Sequence, residues 1–144
     1  MKQQTAYLLL GSNIGDRQRH LTTSLKKIGD KGGLIHKVSS TYQTQPWGVT
    51  NQDDYLNMAV QISTSLTPEV LFERIKVIET AAGRISMVQN APRTLDIDIL
   101  FYEQLVMSSQ HLTIPHPRLH LRRFVLIPMV DIAPHFIHPV LKKS

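Results

Sequence analysis

The stretch Leu95-Asp96-Ile97-Asp98-Ile99 constrains the architecture of this chain more than any other. Strict alternation of apolar and acidic residues is the pattern of a half-buried β-strand, because successive side chains of a strand point to opposite faces. Leu95, Ile97 and Ile99 then share a buried face, and Asp96 and Asp98 share the other. Two carboxylates about 6.7 Å apart along a strand repel one another unless a cation neutralises them. With no Cys or His in the triplet, these hard oxygen donors suit Mg²⁺, which takes one or two carboxylates together with phosphate oxygens and water.

On its own such a triplet means no more than a solvated strand face, and a single Arg or His is most often a surface residue. The flanks add the information. No acid occurs from Thr80 to Leu95 or from Gln104 to Val130, whereas those windows hold Arg84, Arg93, Arg118, Arg122, Arg123, His111, His116 and His120. A pair of acids between acid-free basic windows is the pattern of a metal and phosphate site. The whole chain carries 16 Lys plus Arg against 11 Asp plus Glu, a net charge of +5, which favours an anionic partner. Nucleotide, nucleic acid and membrane surface all satisfy that condition.

Several classes are excluded or disfavoured. The chain has no cysteine, so disulfides and thiolate metal centres are ruled out. The longest apolar run near the C-terminus, Phe124 to Val130, is too short to cross a bilayer and holds Pro128. No secretory signal is visible after Met1, so a cytoplasmic location is expected. With 144 residues, no internal repeat and no Gly/Ser/Pro-rich linker, residues 1–144 are expected to form a single domain.

The remaining elements follow from periodicity. Ala6 to Leu10 is a continuous apolar run ended by Gly11-Ser12-Asn13, the mark of a buried central strand. Leu21, Leu25 and Ile28 recur at helical spacing after Asp16 until Gly29, Gly32 and Gly33 stop the helix. A second strand is predicted from Ile35 to Tyr42, although its two faces are poorly divided, and a third from Tyr55 to Ser65 after a loop from Thr44 to Asp54. Thr67-Pro68-Glu69 opens a second helix as N-cap, first-turn proline and dipole-facing acid, with Leu71, Ile75, Ile78 and Ala82 on one face until Gly83. After the strand from Leu95 to Tyr102, a last helix is predicted from Leu119 to Ile132, interrupted or ended near Pro128. The order predicts an α+β fold: a ferredoxin-like βαββαβ antiparallel sheet with additional helices in α/β/α layers.

Tyr55 and Asn57 are one alternation apart and share a strand face. An aromatic ring beside an amide that both donates and accepts suits a flat heteroaromatic ligand. The stiff Ile114-Pro115-His116-Pro117 run presents a His able to donate to phosphate. Gly11-Ser12-Asn13-Ile14-Gly15 matches neither of the common phosphate-loop patterns and is read as a strand-to-helix turn. Three functions remain open on these residues: a phosphate-transferring enzyme, an RNA-binding sheet module, and a Mg²⁺-dependent phosphohydrolase. The RNA module requires exposed aromatics on two central strands, where this sequence offers Asp96 and Asp98 on a strand instead.

Leu10-Gly11-Ser12-Asn13-Ile14-Gly15, Ser40 to Thr44, Asp54-Tyr55-Leu56-Asn57, Glu79 to Arg84, Pro92 to Leu100 and Ile114 to Pro117, in that order, resemble the 6-hydroxymethyl-7,8-dihydropterin pyrophosphokinases of folate biosynthesis. The similarity extends from Ala6 to about Pro139. The resemblance implies a diphosphotransferase that moves diphosphate from ATP to the hydroxymethyl group of the pterin and releases AMP. It implies that Asp96 and Asp98 hold two Mg²⁺ ions bridging the triphosphate, and that Arg84, Arg93, Asp96 and Asp98 form the catalytic set. It sets Lys76, Glu79, Arg84, Arg93, the backbone of Ile99, His111, Thr113, His116 and Arg122 around ATP. It sets Thr44, Gln45, Trp47, Tyr55, Asn57 and Phe124 around the pterin. ATP and the pterin are then the partners, with no nucleic acid or membrane and a monomeric state expected. The segment Ile85 to Ala91 departs from the family pattern, lacking the basic residues and Trp-Gly of many members, and His111 and Pro117 stand where some members carry Arg and Tyr.

Overall fold

In the computed structural model the apolar run after Thr5 forms the centre of β1 (Gln4–Ser12), buried throughout from Ala6 to Ser12. The structure describes residues 3–12, 16–44, 55–82, 95–109, 112–116, 123–134, 136 and 138–141, with the backbone alone at 44, 55 and 123–127. After β1 come α1 (Arg17–Lys31), β2 (Leu34–Val38), β3 (Tyr42–Thr44), β4 (Tyr55–Thr64), α2 (Pro68–Ala81), β5 (Asp96–Tyr102), β6 (Met107–Ser108), β7 (Thr113–Ile114) and α3 (Arg123–Ile132). The main sheet runs β2-β4-β1-β5, with β3 continuing beside β4, and every pairing is antiparallel. With β2 and β3 as two pieces of one strand, this is the expected ferredoxin-like order.

Both faces of the sheet are covered, as alternation along β1 requires. Ala6, Leu8 and Leu10 turn to one side and pack with Leu21 and Ile28 of α1 and Leu71, Ile75 and Ile78 of α2. Tyr7 and Leu9 turn to the other and pack with Ala59, Leu100, Phe101 and, from α3, Met129 and Ile132. The result is the α/β/α layering predicted from the sequence, with α3 on the second face.

The helix starts follow their caps. The Asp16 carboxylate accepts from the Arg19 amide at 3.2 Å, and the Thr67 hydroxyl accepts from the Val70 amide at 3.3 Å, ahead of Pro68. Of the three glycines expected to stop α1, Gly32 is the one that caps it. Helix α1 passes through Gly29 and closes at Gly32, whose amide bonds to the Ile28 carbonyl at 2.7 Å. A Cβ on Gly33 would lie 2.2 Å from the Ser63 carbonyl oxygen, so here the glycine is required by close approach to β4. Helix α2 ends at Ala81 with Ala82 as its cap, and Gly83 lies outside the described residues.

Three further expectations are corrected. The single strand from Ile35 to Tyr42 is two strands, because the four steps from Val38 to Tyr42 span only three on β4, from Val60 to Asn57. A second extra residue falls between Ile35 and Lys37. Each bulge inverts the side-chain alternation, which is why the sequence of this strand shows no clean division of faces. Helix α3 neither breaks nor ends at Pro128: it continues to Ile132, with Met129 and Ile132 anchored in the second core. Its predicted start at Leu119 lies outside the described residues; the described helix begins at Arg123. The β6–β7 hairpin was not anticipated; its strands are two residues each, too short for a period to register.

Candidate active site

Register brings the candidate residues into rows. Asn57 on β4 pairs with Gly11 on β1, and Gly11 pairs with Asp96 on β5. Tyr42 on β3 pairs with the other side of Asn57. Paired residues in an antiparallel sheet point to the same face, so Tyr42, Asn57, Gly11 and Asp96 form one row across four strands. One step further along, Leu9 lies between Ala59 and Asp98. Both aspartates therefore point to the α3 side and are half-buried, while Leu95, Ile97 and Ile99 are buried among α1 and α2, as predicted. Asn57 and Asp96 lie two strand spacings apart, about 10 Å, and Gly11 raises no side chain between them.

Further along β4 the same alternation puts Tyr55 opposite Thr44, beyond Asn57. Asn57 is buried to 3% exposure. The start of α3, with Phe124 in its first turn, belongs to the element that covers this face. Its other end is tied down: the Asp131 carboxylate accepts from the Ser40 amide at 2.8 Å and from the Tyr42 hydroxyl at 3.1 Å. Removal from water, reinforced by Asp131, raises the Tyr42 phenol above its ordinary value of 10.0.

The outer edge of β5 carries the nucleotide candidates. Among the described residues, β5 pairs in the main sheet with β1 and with no other strand. The Ile97 amide donates to Glu79 Oε2 at 2.8 Å, so it faces away from β1. Alternation turns the Ile99 amide and carbonyl towards the same edge. An extra residue at Leu100 follows, since Tyr7 pairs with Phe101 and Leu8 with Ile99. The Leu100 carbonyl then accepts from the His116 amide at 3.1 Å, which draws His116 and β7, with Thr113, to that edge. Lys76 bonds to Glu79 Oε1 at 3.1 Å and lies over the Phe72 ring, 4.9 Å from its centre.

The structure thus gathers Thr44, Tyr55 and Asn57 on the β3–β4 side, Asp96 and Asp98 on the face of β5, and Ile99, Thr113 and His116 along its edge. Gln45, Trp47, Arg84, Arg93, His111 and Arg122 lie outside the described residues. Among the described residues no three of His, Cys, Asp or Glu converge, and the candidate donors are the two carboxylates of Asp96 and Asp98. That set fits Mg²⁺, which leaves most of its shell to phosphate and water, and does not fit a closed zinc site. Gly11, expected in a turn, is instead the gap in the row. Glu79, which the resemblance sets near ATP, is buried on the core stripe of α2, four residues after Ile75 and eight after Leu71, a spacing that signals its burial.

Where an RNA-binding sheet would expose aromatics, the β1 aromatic of this face is covered. Tyr7 on β1 is 8% exposed and packs edge-on against Phe101 and Phe136. Paired carboxylates on one face of a ferredoxin-like sheet, in line with a buried amide and flanked in the sequence by basic windows, fit a small metal-assisted phosphate transferase. The chain belongs to the 7,8-dihydro-6-hydroxymethylpterin-pyrophosphokinase family, whose model matches residues 7–134. It is similar to the 2-amino-4-hydroxy-6-hydroxymethyldihydropteridine pyrophosphokinase of Aquifex aeolicus, 39% identical over 96% of this chain and 86% of that one. The enzyme of the same name from Bacillus subtilis is 43% identical over 89% of this chain and 77% of its own.

The folic acid synthesis protein FOL1 of Dictyostelium discoideum is 42% identical over 94% of this chain, which spans only 20% of that longer protein. A solved Plasmodium falciparum HPPK-DHPS structure with pterin and p-hydroxybenzoate overlays 99% of this chain on 42% of its own, at a TM-score of 0.80 and 18% identity; that likeness concerns the fold. The reaction is pyrophosphoryl transfer from ATP to hydroxymethyldihydropterin in folate biosynthesis, and the family is Mg²⁺-dependent. No helix among the described residues is long and apolar enough to cross a membrane.

Proposed function

We propose that this transfer takes place across β1, with the pterin on the β3–β4 side and ATP along the outer edge of β5. The observation that carries this reading is the row Asn57–Gly11–Asp96, with acceptor and phosphate chemistry on either side of a residue that has no side chain. Asn57 reads the edge of the pterin with one amide that donates and accepts, and Tyr55 and Phe124 flank the ring. Thr44, Gln45 and Trp47 complete that side. Asp96 and Asp98 hold two Mg²⁺ ions. When bound, these ions neutralise the triphosphate and the charge that develops on both sides of the reacting phosphorus. The backbone of Ile99 and the Thr113 region meet the adenosine, while His116, with Arg84, Arg93, His111 and Arg122, meets the phosphates. One domain acting as a monomer suffices, since all these candidates lie on one chain.

A mass-resolved product assay tests the assignment. With Mg²⁺ it should yield pterin diphosphate and AMP, and without Mg²⁺ neither; formation of ADP would mean single phosphoryl transfer. Asp96→Ala and Asp98→Ala should keep the wild-type circular dichroism and lose most turnover. AMP formation within about threefold of wild type, roughly 0.6 kcal/mol, would remove these residues from the catalytic set.

A further inference from the structure

The family resemblance sets Glu79 near the nucleotide, but its surroundings in the structure assign it a different task. Its side chain is buried to 2% exposure on the face of α2 that meets the sheet, a costly place for a carboxylate unless its oxygens are paired. One oxygen accepts from Lys76 Nζ at 3.1 Å. The other accepts from the Ile97 amide at 2.8 Å. Ile97 is the residue between Asp96 and Asp98, and its amide lies on the side of β5 that, among the described residues, no strand of the main sheet covers.

This places a constraint where the strand needs one. Two like charges on successive same-face positions push each other apart, and a strand paired on one side alone yields to that push more readily than a central strand. Among the described residues, the next main-chain bond on the open side is from His116 to Leu100, beyond both aspartates. We propose that Glu79 is a positioning residue: by accepting the Ile97 amide it holds Asp96 and Asp98 at the spacing that binds the metal. The inference rests on the reading of those two aspartates as Mg²⁺ ligands.

Two variants separate this role from a direct contact with nucleotide. Glu79→Gln keeps an acceptor for the Ile97 amide and loses the charge; Glu79→Met keeps the volume and loses the acceptor. Mn²⁺ binding is measured by electron paramagnetic resonance with a non-hydrolysable ATP analogue, and Ile97 amide exchange by NMR. In Glu79→Met, Mn²⁺ affinity should fall about tenfold with faster Ile97 exchange, while pterin affinity stays within about twofold. Glu79→Gln should restore Mn²⁺ affinity to within about twofold of wild type.

Unchanged Mn²⁺ affinity in Glu79→Met overturns the proposal, and so does a Gln variant as weak as Met, which would mean that the charge itself is what matters. Should Glu79→Met fail to fold, the Gln variant decides alone: retained Mn²⁺ affinity without the charge supports the role, and lost affinity refutes it. Asp96→Asn and Asp98→Asn serve as controls. If they bind Mn²⁺ as wild type does, it is the metal-ligand reading that fails.

Discussion

Asn57 shows how much one residue carries in this molecule. Its amide is buried in a row whose neighbours are Tyr42 and Gly11, so on the proposed reading it would meet the pterin from the sheet itself. Asn57→Ala strips a buried polar partner from the acceptor ring and should weaken pterin binding by about 1–3 kcal/mol, with ATP affinity within about twofold. Calorimetry with each ligand checks this, and equal losses for both would take Asn57 off the pterin side. At this scale the sequence was informative: alternation alone put Asp96 with Asp98 and Tyr55 with Asn57. What it did not contain was the pairing of Asn57 with Gly11 and of Gly11 with Asp96, because register is fixed by contacts between strands far apart in the chain.

Among the elements, the second strand departs most from its sequence pattern, and Ser39 explains how the departure is held. Its hydroxyl accepts from the Ala59 amide at 2.8 Å and donates to the Ser40 carbonyl at 2.8 Å, while its own amide bonds to the Ala59 carbonyl at 2.9 Å. A side chain thus takes the place of a main-chain partner in the ladder, and β3 restarts in a register that brings Tyr42 beside Asn57. Ser39→Ala leaves the Ala59 amide buried without its partner and should cost about 1–3 kcal/mol in urea denaturation. An unchanged midpoint would mean that water replaces the hydroxyl. Helix starts, by contrast, were legible because Asp16 and Thr67 act within three residues of themselves. Bulges, the two-residue strands of the hairpin and the passage of α3 through Pro128 depend on distant packing, and no local period announces them.

Across the whole molecule, tyrosines link the fold to pH. Burial, followed by Glu103, raises the Tyr7 phenol, and burial followed by Glu103 and Glu69 raises that of Tyr102, whose hydroxyl donates to the Leu66 carbonyl at 2.5 Å. A phenol whose folded pKa exceeds its unfolded value contributes stability that is present below the unfolded value, near 10, and lost as pH rises through the folded one. Denaturation midpoints should therefore fall above pH 10 or so, and Tyr102→Phe should flatten part of that decline. A midpoint independent of pH in that range would contradict the assignment. The β1 glycine has a separate consequence for ligand design. On the proposed reading, a molecule that fills both sides of the row at once, a flat hydrogen-bonding head joined to an anionic tail about 10 Å away, would pass over β1 at Gly11. Gly11 itself sets no side chain in that path. A methyl group on the tether should be accepted by the wild type and rejected by Gly11→Ala, which turns a missing side chain into a means of distinguishing inhibitors by the shape of their waist.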